Sequence, residues 1–258
     1  GTCLGTYLSA MNQTTEKPIL QRDHRTLRGT IAYLSHKPDR YLQERGREYF
    51  HMDVHSDGKR TITAHCEIDD RPSVMRDITY SVDEHWLPMD CFVRITVGDR
   101  FMGSGWFKFH PGHTECETFT APEGRISQRM EHRSPPLRTF QHHAIACDAW
   151  HLRLFDRAKG PGVQGIDEFL LSSPDHRGAT GPMLFRIGVH IEYVGEERVT
   201  VKAGSFDALH FRYGSAPGLP QEHPPYDVWC TSDGDYLFLK GNVAGYMQTY
   251  YELVELVR

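Results

Sequence analysis

The chain of 258 residues is 39% hydrophobic and 24% charged, the composition of a globular protein and not of a disordered one. Its 29 Lys and Arg are scattered among 34 Asp and Glu for a net charge of −5, which speaks against the clustered basic face that nucleic-acid binding requires. No apolar run approaches the roughly 18 residues of a membrane-spanning helix.

Residues 1–28 read as a polar arm. Gly1 to Met11 carry neither a basic region nor a long apolar stretch, so no secretion signal is expected there. Cys3, Cys66, Cys91, Cys116, Cys147 and Cys230 are widely spaced and form no Cys-x-x-Cys pattern. They read as reduced thiols in a cytoplasmic protein, several of them acting as small hydrophobes inside strands.

A first β block covers 29–133. From Glu48 the period becomes two, with Phe50, Met52 and Val54 facing one way and Tyr49, His51, Asp53 and His55 the other. After Ser56-Asp57-Gly58 the alternation resumes with Ile62, Ala64, Cys66 and Ile68. A three-residue loop with Gly58 in the left-handed conformation pairs position 55 with 59, and so sets Met52 opposite Ile62 and Phe50 opposite Ala64. Further strands are expected over 74–82, 90–97, 101–109, 115–120 and 125–132, with a hairpin turn at Gly98-Asp99.

Residues 134–182 read as a helix and a long loop. Over 141–155, Ala144, Ile145, Asp148, Leu152 and Phe155 fall on one helical face. Gly160-Pro161-Gly162 opens the loop, which runs to Gly181-Pro182. A second β block over 183–258 has strands at 183–193, 198–201, 208–213, 226–231, 236–240 and 246–257, with a turn at Ser232-Asp233-Gly234. The fold class is therefore mainly β: one domain over 1–258, an antiparallel β-barrel or highly curved two-block sheet of about a dozen strands. Two packed β subdomains are the alternative.

The stretch from Gly195 to Ala208, with Val199, Val201, Ala203-Gly204 and Phe206, followed by Trp229, Thr231, Ser232 and Asp233, resembles a motif of uncharacterised bacterial β-barrel proteins distantly similar to lipoprotein carriers. The resemblance covers about 60 residues of the second block, and Lys202 stands where Pro is common in that family. It implies a hairpin with a tight turn at Ala203-Gly204 and Phe206 pinning the next strand to the core. It implies no chemistry.

Three groups of residues carry candidate chemistry. Asp148 interrupts an apolar stripe, where a carboxylate is costly unless paired or functional. It is read either as a structural acid that binds an Arg or caps a loop, or as a catalytic acid or base facing a cavity, with His151 one turn on to orient it. Asp227 and Trp229 share a strand face, as do His210 and Arg212 of the preceding strand, which ends at Tyr213; if these faces coincide, Asp227, His210 and Arg212 meet, as an acid–base group inside the barrel or as a solvated charge ladder outside it. The polar face of the first hairpin offers Tyr49, His51 and His65, and Trp106 follows Gly103 and Gly105, which signal close approach or curvature. His142 and His143 with Asp148 and His151 make no recognised metal spacing, so no metal is expected.

No nucleophile elbow, P-loop or dinucleotide fingerprint occurs, and no cofactor is expected. The leading function is a barrel that encloses a small, largely apolar molecule and transforms it by cofactor-free acid–base chemistry, as a lyase or isomerase does. The site residues are then Asp148, His151, Asp227 and His210 for catalysis, and Tyr49, His51, His65, Trp106, Arg212, Tyr213 and Trp229 for binding. A non-catalytic carrier of a hydrophobic ligand is the alternative, and a partner-binding β domain the third reading. A homodimer is left open. Far-UV circular dichroism is expected to be β-dominated; helix content above about one third of the residues would overturn the fold class.

Overall fold

Half-buried strands arise where apolar and polar residues alternate, and the computed structural model, which describes residues 23–258, has fifteen. The first block supplies β1 (His24–Ser35), β2 (Glu44–His55), β3 (Arg60–Ile68), β4 (Val74–Val82), β5 (Pro88–Val97), β6 (Arg100–Phe109), β7 (His113–Thr120) and β8 (Gly124–Glu131). A short β9 (Phe140–Gln141) precedes a 3-10 helix, Ile145–Leu154. The second block supplies β10 (Gly162–Leu171), β11 (Phe185–Val201), β12 (Gly204–Tyr213), β13 (Tyr226–Thr231), β14 (Phe238–Val243) and β15 (Thr249–Val257).

All fifteen strands form one sheet, in the order β8-β7-β6-β5-β4-β3-β2-β1-β15-β14-β13-β12-β11-β10-β9. The two blocks join at its middle, where β1 pairs antiparallel with β15 from Arg28↔Val257 to Ser35↔Thr249. The sheet curls until its ends meet, but among the described residues no ladder closes it. Side chains bridge the gap instead. Buried Glu168 of β10 accepts from the backbone N–H groups of Arg133 and Ser134 just beyond β8, and pairs with Arg186 at 3.1 Å. The Gln128 amide of β8 exchanges hydrogen bonds with the backbone of Leu184.

The first hairpin has the expected register, with Met52 opposite Ile62 and Phe50 opposite Ala64. Gly58 is in the left-handed region at φ 93°. The close approach expected at Gly103 is present: a Cβ there would lie 2.8 Å from Pro182, where the chain crosses inside the curl on its way to β11. Of the six cysteines, five are free and buried; Cys3 and most of the expected arm lie outside the described residues.

Three expectations about the strands are corrected, and one about the helix. The arm does not extend to residue 28, because β1 begins at His24. Its inward series is Leu27, Gly29, Ile31, Tyr33 and Ser35, and Gly29 breaks the apolar pattern; the Phe50 ring occupies the space a side chain there would need. The central loop contains β10, whose first half is too exposed to alternate in hydrophobicity. The segments 183–193 and 198–201 are one 17-residue strand, kept continuous by a register shift between Tyr193 and Gly195.

The helix, expected over 141–155 with a period of 3.6, is shorter and tighter. Phe140 and Gln141 are drawn into the sheet beside β10. With three residues per turn, Ile145, Asp148, His151 and Leu154 align, and every residue of the helix except Ile145 and Arg153 is buried. Long 3-10 helices are uncommon because their hydrogen bonds are poorly aligned. This one is held from outside. The Glu48 carboxylate, fully buried on the inner face of β2, accepts from the N–H groups of Ile145 and Ala146 at 2.8 Å each, from the Tyr33 hydroxyl at 2.8 Å and from the Cys66 thiol at 3.2 Å. It supplies the cap that Ala144 cannot. At the other end Arg153 donates to the carbonyls of Trp86 and Arg138, and the Trp86 and Trp150 rings meet edge to face at 5.3 Å. The helix thus fills one end of the curl.

Replacing Glu48 by Ala leaves two buried backbone N–H groups without an acceptor and should cost about 3 kcal/mol or more in urea unfolding. Glu48→Gln should cost less, since its carbonyl oxygen still accepts. Equal stability of wild type and Glu48→Ala would show that the clamp is dispensable.

Candidate functional site

The other end of the curl is not filled. A cavity of ≈ 340 Å³ opens there, between the helix and the connections that follow β1, β3, β10, β12 and β14. Its lining divides by wall. β10 and β11 present Phe169, Leu171, Ile187 and Val189; the side built from β1 to β4 presents Arg45, Asp70 and Arg76, with Lys37 just beyond β1.

Asp148 projects from the helix to this cavity and is 5% exposed. Its Oδ1 accepts from the Gln141 side-chain amide at 2.8 Å, and its Oδ2 lies 2.9 Å from the Tyr226 hydroxyl. The Tyr213 hydroxyl donates to its backbone carbonyl at 2.6 Å. No cation is within ion-pair distance of the carboxyl among the described residues. Burial pushes Asp148 up to about 7, with Glu48 adding to the rise, while the hydrogen bonds from Gln141 and Tyr226 and the charge of Arg76 oppose it. The site therefore holds an acid that titrates near neutrality.

The partner expected for Asp148 is not its partner. His151 lies one 3-10 turn on, but its Nδ1 is 2.5 Å from the Thr139 hydroxyl and its ring packs edge to face on Phe169. It does not line the cavity. Burial lowers its basicity well below the ordinary imidazole range, so the ring is neutral.

Asp227, His210 and Arg212 do meet. His210 Nε2 is 2.7 Å from Asp227 Oδ1, and the Arg212 guanidinium donates to the same oxygen at 3.1 Å. Trp229 stacks on His210 with ring centres 4.0 Å apart, and the Lys240 ammonium lies over the Trp229 ring at 4.3 Å. The neighbours Phe211, Val228 and Cys230 are the buried ones, so this group is a ladder on the outer face. Of this constellation Tyr213 alone reaches the cavity.

Tyr49, His51, His65 and Trp106 also lie outside. Tyr49 and Trp106 are 47% and 48% exposed. His51 bonds Asp53, and His65 bonds Asp77 and Glu67. The reason is the helix: a curl filled by its own chain keeps its apolar strand face inside and turns its polar face to solvent.

Sequence reasoning passed over Glu48, Arg76, Gln141 and Tyr226. For two of these a signal was present, a charge in the apolar register of a strand. Glu48 shares the inner face of β2 with Phe50 and Met52, and Arg76 that of β4 with Val74 and Ile78. Arg76 is 2% exposed; its guanidinium donates to the carbonyls of His143 and Arg177.

The histidines near the helix do not converge. His142 packs on Tyr80, His143 bonds the Ser173 carbonyl, and burial pushes His142 down to about 3. Among the described residues, the group whose donor atoms all lie within 4.8 Å of one another is His110, His113 and Glu115, at the turn between β6 and β7 and away from the cavity.

A carboxyl whose folded value of about 7 lies above its unfolded value of 3.8 binds its proton more tightly in the folded state. Its stabilising contribution is complete below pH 3.8 and is lost as pH rises through 7. Asp148→Asn mimics the protonated form at every pH. Its stability relative to wild type should therefore rise between pH 4 and 7 and level off above, by on the order of 4 kcal/mol at about 1.4 kcal/mol per pH unit. Urea unfolding of both proteins from pH 5 to 8 checks this; a constant difference would mean that Asp148 is ionised throughout.

No family model and no curated protein matches the sequence. Among solved structures, the chain is similar to a beta-barrel-like protein of the domain of unknown function DUF1849 from Brucella abortus, at 10% identity and a TM-score of 0.56, over 91% of this chain and 96% of that one. A candidate lipoprotein from Parabacteroides distasonis aligns at 9% identity and a TM-score of 0.32, over 90% and 95% of the two chains. A candidate exported protein with a YmcC-like fold from Bacteroides fragilis aligns at 9% identity and a TM-score of 0.30, over 92% and 97%. The first of these likenesses is one of fold: this chain has a β-barrel-like fold.

Proposed function

We propose that the protein binds a small, largely apolar molecule in the cavity beside the helix. The observation that carries this reading is the cavity itself: ≈ 340 Å³ of space, one wall apolar, and a few polar groups converging on its floor. Such pockets bury most of a small ligand and orient it through a small number of polar contacts. Asp148, Gln141 and Tyr226 are the orienting groups at the floor. The residues on the outer face have no part in this reading.

A second reading, acid–base catalysis on the bound molecule, is favoured by one observation. Asp148 combines a pKa of about 7 with a place on the cavity wall, and a group so tuned gives or takes a proton at neutral pH. Proton NMR of the compound extracted after incubation with the protein separates the two readings, since it detects an isomer as well as an elimination product. A carrier returns the compound unchanged; a lyase or isomerase returns a product, and Asp148→Asn returns none.

Titration with the neutral fluorophore N-phenyl-1-naphthylamine should give a saturable rise in emission. Val189→Trp, which fills the cavity from its apolar wall, should weaken binding by about tenfold or more, the equivalent of about 1.4 kcal/mol. Trp106→Ala, on the outer face, should leave it unchanged. Binding that is insensitive to Val189→Trp would place the ligand elsewhere.

A further inference from the structure

The charges around the cavity run against the charge of the whole chain. The chain carries −5, yet the cavity is lined by four cations, Lys37, Arg45, Arg76 and Arg177, and by two acids, Asp70 and Asp148. The three histidines of the lining, His143, His176 and His223, are held below the ordinary imidazole range by burial and add no charge at neutral pH.

The acids do not cancel the cations. Asp70 is shared by Arg45, whose Nε lies at 2.6 Å, and Arg40 at 3.1 Å, so one carboxylate faces two guanidinium groups. Asp148, pushed up to about 7 by burial, carries only part of a negative charge at neutral pH. The Asp175 carboxylate, in the same loop as Arg177, is engaged by the backbone N–H groups of Arg177 and Ala179. Arg177 itself donates to the carbonyls of Asp70 and Pro72. Arg76 also has carbonyl partners and no carboxylate, although it is almost wholly buried. Among the described residues the Lys37 ammonium has no hydrogen-bond or ion-pair partner.

Three of the four lining cations, Lys37, Arg76 and Arg177, therefore have no carboxylate within ion-pair distance among the described residues. Arg76 is buried and the other two are half-buried, and a cation withdrawn from water is costly unless an anion accompanies it. They sit on or beside the wall built from β1 to β4, opposite the apolar side of Phe169, Leu171, Ile187 and Val189. From this asymmetry we infer that the ligand is an anionic amphiphile, whose carboxylate or phosphate head lies against Lys37, Arg76 and Arg177 and whose apolar tail lies against β10 and β11. The inference rests on the cavity reading and narrows it to one class of molecule. Neutral apolar compounds fill the same space but leave the cations unpaired.

The test is displacement of N-phenyl-1-naphthylamine from the full chain by four twelve-carbon compounds: dodecanoate, dodecyl phosphate, dodecanol and dodecylammonium. At low salt one or both anions should displace the probe at concentrations at least tenfold below dodecanol, with dodecylammonium the weakest. The gap should narrow as salt screens the rim. Lys37→Glu changes a partly exposed residue outside the core and should cut the preference for anions, read as the ratio of the displacing concentrations of dodecanol and the better anion, about threefold or more. The better anion then tells carboxylate from phosphate. Equal potency of dodecanoate, dodecyl phosphate and dodecanol would overturn the anionic head and leave the cavity reading standing. Absence of probe binding, together with no heat from any of the four compounds in calorimetry, would overturn both.

Discussion

One carboxylate organises the interior. Glu48 leaves the sheet on the inner face of β2 and takes both N–H groups that begin the 3-10 helix, while Tyr33 and Cys66 fill its remaining lone pairs. A ten-residue 3-10 helix has little stability of its own, and a curled sheet with an unpaired end has no reason to stay curled around nothing. Each supplies what the other lacks. The sheet gives the helix its cap and its dry surroundings, and the helix gives the sheet a core. Burial raises the carboxyl of Glu48, and its four donors counter that rise. Those four donors are how a carboxyl sits at 0% exposure with no ion-pair partner among the described residues.

The helix divides the inside of the curl unequally. Toward the Trp86 and Tyr236 turns, aromatic rings close the space, with Arg60 laid over Trp86 at 3.9 Å. Toward Lys37 and Tyr246 the space stays open. Asp148 stands at the boundary, a residue of the plug that is also a residue of the pocket. Its neighbours come from three separate parts of the chain: Gln141 before the helix, Tyr213 at the end of β12 and Tyr226 at the start of β13. A ligand that touches Asp148 therefore touches the element that holds the sheet in shape.

The sequence and the structure agree where alternation is strict. β4 and β13 have the expected ends, and the register of the β2–β3 hairpin follows from Gly58 and the matching of Phe50 with Ala64. Agreement fails where a glycine replaces an apolar residue, as at Gly29 in β1, or where a strand is exposed on both faces, as in the first half of β10. The burial of Asp148 was legible because an acid in an apolar stripe has few other places to be. Its partners were not, since Gln141, Tyr213 and Tyr226 meet it only through the curl of the sheet. Tyr49, His51, His65 and Trp106 are binding candidates only if their strand face turns inward, and alternation alone does not say which face does when the filling of the barrel is unknown. Arg76 and Glu48 carry the lesson in reverse: one charge among inward apolar residues says more about the interior than many on the outward face.

The pairing of β1 with β15 has a consequence for how the molecule comes into being. The first described strand finds its partner in the last, more than two hundred residues later in the chain, at the centre of the sheet and not at its rim. Until the final residues are available, β1 and β14 each present an open edge of unsatisfied backbone groups in the middle of the future structure. Contacts so distant in sequence form late, because closing a long loop costs entropy before it gains anything. The C-terminal strand is thus the keystone of the sheet. A chain that stops short of Thr249 does not lose a tail; it leaves two half-sheets, each with a sticky margin, joined only by side-chain bridges and by the helix between them.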